Sequence, residues 1–298
     1  MFERILVPLD GSEVAEMAIS YGEELASRLG SEVVLYHVHE PGHQQLKRVR
    51  QSYLDMLSKT VEHNIRKLRP QNAEVKVTTI VDLGEPAENI CNLVENTKLD
   101  LIIMTAASSS GLKLGKKLGS VTDHVCRTVS IPVMLVRPQS TRRTEANLRL
   151  INRILIPMDG SEFSKLALSV GEELSSKLKV SATLFQMANS FRFLDNETGG
   201  IYVDYTKLNE DEEKRVRAEM IAVETELKRR GHNVTQIVTT GSDAAGEIID
   251  LCKKIDADLV VMSTHGRSGL GRWFIGGVAE RVLRYGETPL LLVHAKAG

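Results

Sequence analysis

Two kinds of segment in this chain could do chemistry. The first is an acidic turn that occurs twice, as Asp10-Gly11-Ser12 and as Asp159-Gly160-Ser161. Each follows a short apolar run, Ile5-Leu6-Val7 or Ile154-Leu155-Ile156, and precedes residues with helical spacing. The carboxylate is therefore expected at the carboxyl edge of a sheet, beside a helix N-terminus. Such a residue serves either as an Asx-type cap that tidies the turn or as a ligand contact, and the sequence leaves both open. The second segment runs Ser263-Thr264-His265-Gly266-Arg267-Ser268-Gly269-Leu270-Gly271, with Gly276-Gly277 opening a helical stretch at Val278. Five glycines in these fifteen residues let backbone N–H groups converge, and a helix N-terminus behind them favours an anion. A phosphate cradle needs such unhindered donors. The plainer reading is a surface loop of left-handed turns.

Other constellations are weaker. His37 and His39 share one face of a strand end near His43, which is tolerable metal-ligand spacing. Their counterparts in the second copy of the motif are Gln186 and Ala188, and no Cys or acidic set completes the site, so no metal is expected. His265 could act as a base only with a nucleophile in reach, and no Gly-x-Ser-x-Gly elbow occurs. The expectation is a protein without catalysis of its own, slow hydrolysis of a phosphate-bearing ligand being left open, although no carboxylate pair for two metals stands out.

The elements that position these residues repeat. Arg4-Ile5-Leu6-Val7-Pro8-Leu9-Asp10-Gly11-Ser12-Glu13 returns as Arg153-Ile154-Leu155-Ile156-Pro157-Met158-Asp159-Gly160-Ser161-Glu162. Asp100 to Met104 returns as Asp258 to Met262, and Ile131 to Val136 as Thr288 to Val293. So long a period signals duplicated domains, not a solenoid of small repeats. We place a first domain at 1–138, a polar linker at 139–150 and a second domain at 151–298. In the first copy, short β-branched runs at Ile5, Val33 to Tyr36, Val75 to Val81, Leu101 to Met104 and Val133 to Val136 alternate with helices. These helices are expected after Ser12, over Gln45 to Leu68, Pro86 to Asn96 and Ser120 to Thr128. The pattern specifies α/β architecture: two doubly wound parallel-sheet domains, Rossmann-like or flavodoxin-like, with ligands at the carboxyl ends of the strands.

Bulk composition narrows the function. In 298 residues, 38 basic side chains face 39 acidic ones for a net charge of −1, so no global field holds nucleic acid or an anionic membrane. Three scattered cysteines fit a reducing compartment. Without an apolar leader after Met1 or a stretch of membrane-span length, a cytoplasmic protein is expected.

The paired Pro-x-Asp-Gly-Ser turns, the Thr-His-Gly-Arg-Ser-Gly-Leu loop and a closing glycine before Val-Ala-Glu-Arg-Val resemble the universal stress proteins over nearly the whole chain. The resemblance implies a stress-response regulator that binds an adenine nucleotide (ATP, AMP or a cyclic form, with or without Mg²⁺). In the second domain it implies phosphate contacts at Ser263, Gly266, Gly276 and Gly277, with Arg267 and Gly269 in the same loop and Pro157, Asp159 and Met187 around the nucleoside. Two positions depart from the family motif. Ser263 replaces its first glycine, and Gly277 replaces its hydroxyl residue, a loss of about 1 kcal/mol for a neutral bond and up to about 3 with a charged phosphate. The first domain departs further, with Thr105-Ala106-Ala107-Ser108-Ser109-Ser110-Gly111 in place of the glycine loop. It keeps Pro8, Asp10, Val38, Gly119 and Ser120, so a weaker or altered site is expected there. The resemblance also implies that the two final strands pair across the domains into a built-in pseudo-dimer, with a further homodimer and a protein partner left open. Phe191, Phe193, Tyr202 and Tyr205, in a stretch with no counterpart in the first copy, form either a lid or packed core. The contrasting function is a nucleotide-independent interaction scaffold with remnant sites.

Overall fold

The computed structural model describes residues 2–39, 47–68, 75–106, 118–137, 149–190, 205–265 and 275–294. In the first half, β1 (Arg4–Pro8), α1 (Glu13–Leu29), β2 (Glu32–His39), α2 (Lys47–Leu68), β3 (Val77–Leu83), α3 (Pro86–Asn96), β4 (Leu101–Thr105), α4 (Ser120–Thr128) and β5 (Val133–Val136) alternate strictly. The second half repeats the order as β6 (Arg153–Met158), α5 (Glu162–Leu178), β7 (Ser181–Asn189), α6 (Tyr205–Arg229), β8 (Val234–Gly241), α7 (Ala244–Lys254), β9 (Leu259–Ser263), α8 (Gly277–Tyr285) and β10 (Leu290–Val293). The third strand starts two residues later than its alternating pattern suggests and runs on to Leu83.

The strand order is β3-β2-β1-β4-β5-β10-β9-β6-β7-β8, one sheet of ten strands. Every pairing within a half is parallel, and the halves join through an antiparallel β5–β10 pair, Met134 opposite Leu291. Each half winds outward from its first strand and then reverses, which leaves a crevice at the carboxyl ends of β1 and β4, and of β6 and β9. The central strands are apolar because both faces are covered. Leu25, Leu54, Leu174 and Met220, from α1, α2, α5 and α6, close one face. Ile90, Val125, Ile248 and Val282, from α3, α4, α7 and α8, close the other. The apolar edges Val133–Val136 and Leu290–Val293 are fully buried against each other, the physical solution to two exposed edge strands.

Polar contacts reinforce the seam. The buried Glu24 carboxylate of α1 accepts from Arg28 Nη1 at 2.8 Å and from the amides of Leu150 and Ile151 at 2.5 and 3.1 Å. Arg28 in turn donates to the Ile151 carbonyl at 2.9 Å and to that of Leu178. A buried carboxylate is tolerable here because its oxygens are met by a guanidinium and two amides. Among the described residues no helix is long and apolar enough to cross a membrane.

Candidate functional site

Both acidic turns have the same local chemistry. Asp159 Oδ1 accepts from the Ser161 amide at 2.9 Å and its hydroxyl at 2.6 Å, and Ser161 Oγ caps α5 by accepting from Ser164 N at 3.2 Å. Asp10 and Ser12 repeat this at 2.8, 2.5 and 3.2 Å, with Ala15 as the capped amide. The glycine between them is left-handed, φ +79° at Gly160 and +84° at Gly11, a conformation that favours glycine. The carboxylate is thus an Asx cap. In the second domain it also lines a cavity.

That cavity, about 370 Å³, opens at the carboxyl ends of β6, β7 and β9 between α7 and α8. Its volume is in the range of small-molecule sites. One wall is apolar: Phe185 and Met187 from β7, Ala244 and Ile248 from α7, and Pro157 at the end of β6. The opposite end is dipolar. Gly276, Gly277, Val278 and Ala279 line it, and Gly276 is an N-cap with no side-chain hydrogen bond, so the first amides of α8 have no acceptor within the helix. A Cβ placed on Gly277 would meet nothing within 4 Å. The α8 N-terminus therefore offers N–H groups and positive potential to a ligand, while the far wall accepts a flat apolar group.

The cavity brings together Pro157, Asp159, Met187, Ser263, Gly276 and Gly277. Gly266, Arg267 and Gly269 lie outside the described residues. Two of the grouped residues are tied up within the protein. The Gly276 amide donates to the Thr264 carbonyl at 2.7 Å, so the amides of this helix start left without that partner begin at Gly277. The Ser263 hydroxyl donates to the His265 carbonyl at 2.5 Å. His265 lines the cavity with Nδ1 3.0 Å from Thr264 Oγ1 and its ring centroid 5.7 Å from that of Phe163.

Sequence reasoning named Pro157 and Met187 but missed the rest of the cavity's apolar wall. Phe185, Ala244 and Ile248 carry only the periodicity of core residues, and the signal that marks them is the strand order, which sets β7 and α7 beside the β6 end. It also missed a brace between the walls. Asp243 caps α7 through the Gly246 amide at 3.1 Å and grips Arg281 of α8 with both oxygens, at 2.6 and 3.0 Å. The Arg281 hydrogen bonds, ahead of that cap, hold the Asp243 carboxyl below its ordinary range.

In the first domain, Pro8 ends β1, Asp10 follows it, and Val38 holds in β2 the place that Met187 holds in β7. Gly119 caps α4, donates to the Ala106 carbonyl at 3.2 Å as Gly276 does to Thr264, and leads into Ser120. The wall differs: Tyr36 stands where β7 has Phe185 and donates to Asp82 at 2.8 Å. Burial first, then this carboxylate, raises the phenol's pKa. Residues 107–117 lie outside the described set. His37 Nδ1 is 2.8 Å from the Leu9 carbonyl, and burial lowers its pKa. Among the described residues no three His, Cys, Asp or Glu side chains gather as a metal site.

The family model described as "Universal stress protein family" matches residues 1–137 and again 151–294. The chain belongs to the universal stress protein family. It is a tandem member, with one such domain in each half. Universal stress protein MJ0577 of Methanocaldococcus jannaschii is 28% identical over 160 residues, which span 98% of that protein and 47% of this chain. Universal stress protein MJ0531 of the same organism is 30% identical over 148 residues, 82% of its length and 48% of this chain. The crystal structure of a universal stress protein from Archaeoglobus fulgidus covers 99% of both chains with a TM-score of 0.70 at 18% identity, a likeness of fold along the whole tandem.

Proposed function

We propose that this universal stress protein is a regulator that binds an adenine nucleotide in its second domain, without turning it over. The observation that carries the reading is the cavity at the β6–β9 crevice, apolar along Phe185, Met187 and Ile248 and dipolar where the uncapped α8 begins. The base would lie against the apolar wall, since stacking and burial favour a flat heterocycle there. The ribose would meet Asp159, whose position at the turn is held by Ser161. The phosphates would take the amides from Gly277 onward, in agreement with the residues that the family resemblance implies. The first domain, with its polar Tyr36–Asp82 wall, would bind the same ligand more weakly or a different one.

The test is to denature the purified intact chain, identify any released nucleotide by mass, and titrate ATP, AMP and cyclic AMP by calorimetry with and without Mg²⁺. One adenine nucleotide should bind per chain at the second domain. Gly277→Glu, which sets a carboxylate against the phosphates, should weaken it at least about tenfold, as like charges at close range require. If no adenine nucleotide is carried and none gives heat, the chain is an interaction module whose sites are remnants.

A further inference from the structure

The halves meet at more than the β5–β10 strands. The residue that follows each final strand reaches into the other domain. Arg137, after β5, donates through Nη2 to the carbonyl of Leu283 in α8. His294, after β10, sets Nε2 2.7 Å from the carbonyl of Cys126 in α4 and Nδ1 3.0 Å from that of Ile131. The two contacts are equivalent under the repeat. Cys126 and Leu283 each stand third from the end of a nine-residue helix, and each helix follows an N-cap glycine that gives no side-chain hydrogen bond, Gly119 or Gly276.

The last carbonyls of a helix have no partner within it and carry its negative end, so a donor or cation there is favourable. Val125 and Val282 already accept from the amides of Val129 and Gly286. The next carbonyl, Cys126 or Leu283, is left to the opposite domain. The tethers differ in chemistry. Burial pulls the Arg137 guanidinium down to about 10, so it is still a cation at neutral pH. Burial lowers the His294 pKa against the two carbonyls that its ring nitrogens face, so this tether is an imidazole in place of a guanidinium. A helix of this length is a stiff rod of about 13 Å. A tether at its last turn therefore fixes the tilt and axial position of the amides at its first.

We propose that Arg137 and His294 are reciprocal positioning residues, each domain setting, from across the seam, the helix N-terminus that faces the other domain's candidate site. The second-domain site is thereby held by a first-domain side chain. The consequence for nucleotide binding rests on the reading above, whereas the mechanical link stands by itself.

Amide hydrogen exchange on the full chain separates the two. Arg137→Met should speed exchange in the peptide over 277–285 by roughly fivefold, the factor for losing one such bond, and leave 120–128 within about twofold. His294→Leu should do the reverse, and Arg137→Lys should fall between Arg137→Met and the unaltered protein. Equal loosening of both helices by either variant, or of neither, overturns the proposal. Should Arg137→Met fail to fold, Arg137→Lys and His294→Leu still give the opposed pattern or refute it. In calorimetry Arg137→Met should weaken ATP at the second domain by a similar factor and His294→Leu should not; unchanged ATP affinity in Arg137→Met overturns the link to the site. If the unaltered chain binds no adenine nucleotide, the functional reading fails by itself, and the exchange pattern alone decides this one.

Discussion

Replacing Gly277 by serine should tighten nucleotide binding, and the structure sets the size of the effect. Gly277 is the first residue of α8 and lines the cavity, and a Cβ there meets no atom within 4 Å. Its φ is not in the left-handed range, so no strain opposes a side chain. The repeat supplies a precedent, because α4 opens on Ser120 at the equivalent place. Under the proposed function, a hydroxyl at the helix start adds one donor to the amides that would face a phosphate, and a hydrogen bond to a charged group contributes about 1.5–3 kcal/mol. That range corresponds to binding tighter by about ten- to hundredfold. Because glycine is a poor helix residue, the variant should also gain a few tenths of a kcal/mol of stability. Calorimetric titration of ATP into Gly277→Ser and the unaltered chain measures the first effect, and urea unfolding without nucleotide measures the second. Equal or weaker affinity in a variant that is as stable as the unaltered chain would place the phosphates elsewhere and refute the assignment of the α8 amides.

Three further outcomes follow from the packing. Gly22 and Gly171 are equivalent in the repeat, yet an added Cβ meets Val7 Cγ2 at an ordinary 3.4 Å in the first domain and Ile156 Cδ1 at 2.5 Å in the second. Gly22→Ala should be neutral or stabilising by up to about 1 kcal/mol, and Gly171→Ala less stable than Gly22→Ala by about 1–3 kcal/mol in urea titration. Glu24→Ala strands Arg28 and the amides of Leu150 and Ile151 at the seam; about 3 kcal/mol should be lost, and a loss below about 0.5 kcal/mol would show that the contact is not buried in solution. His37 and His294 have folded pKa values lowered by burial. Their contribution is complete above the ordinary histidine value of about 6.5 and lost as pH falls toward the folded values, because only the unfolded chain gains the proton in that window. Unfolding free energy should therefore fall from pH 7.5 to pH 5, and the fall should shrink when both are changed to Gln.

Much of this molecule is written locally. The duplicated Asp-Gly-Ser turn specifies its left-handed glycine and its serine cap through atoms two or three residues apart, and the alternation of β-branched runs with helical spacing specifies a doubly wound sheet in each half. The glycines before Val278 likewise mark an uncapped helix start. What the sequence by itself could not decide depends on which distant segments become neighbours. Phe185 and Ile248 read as core until the strand order brings the β7 end and α7 to the β6–β9 crevice, where they become a wall. Gly276 reads as a phosphate donor until the Thr264 carbonyl takes its amide. Arg137 reads as a polar residue at the end of the first domain, just ahead of the linker, until the antiparallel pairing of β5 with β10 carries it to the last turn of α8. Local pattern reports the few residues on either side of a position, whereas a cavity wall or a domain tether is a relation between chain segments that only tertiary packing brings within contact distance.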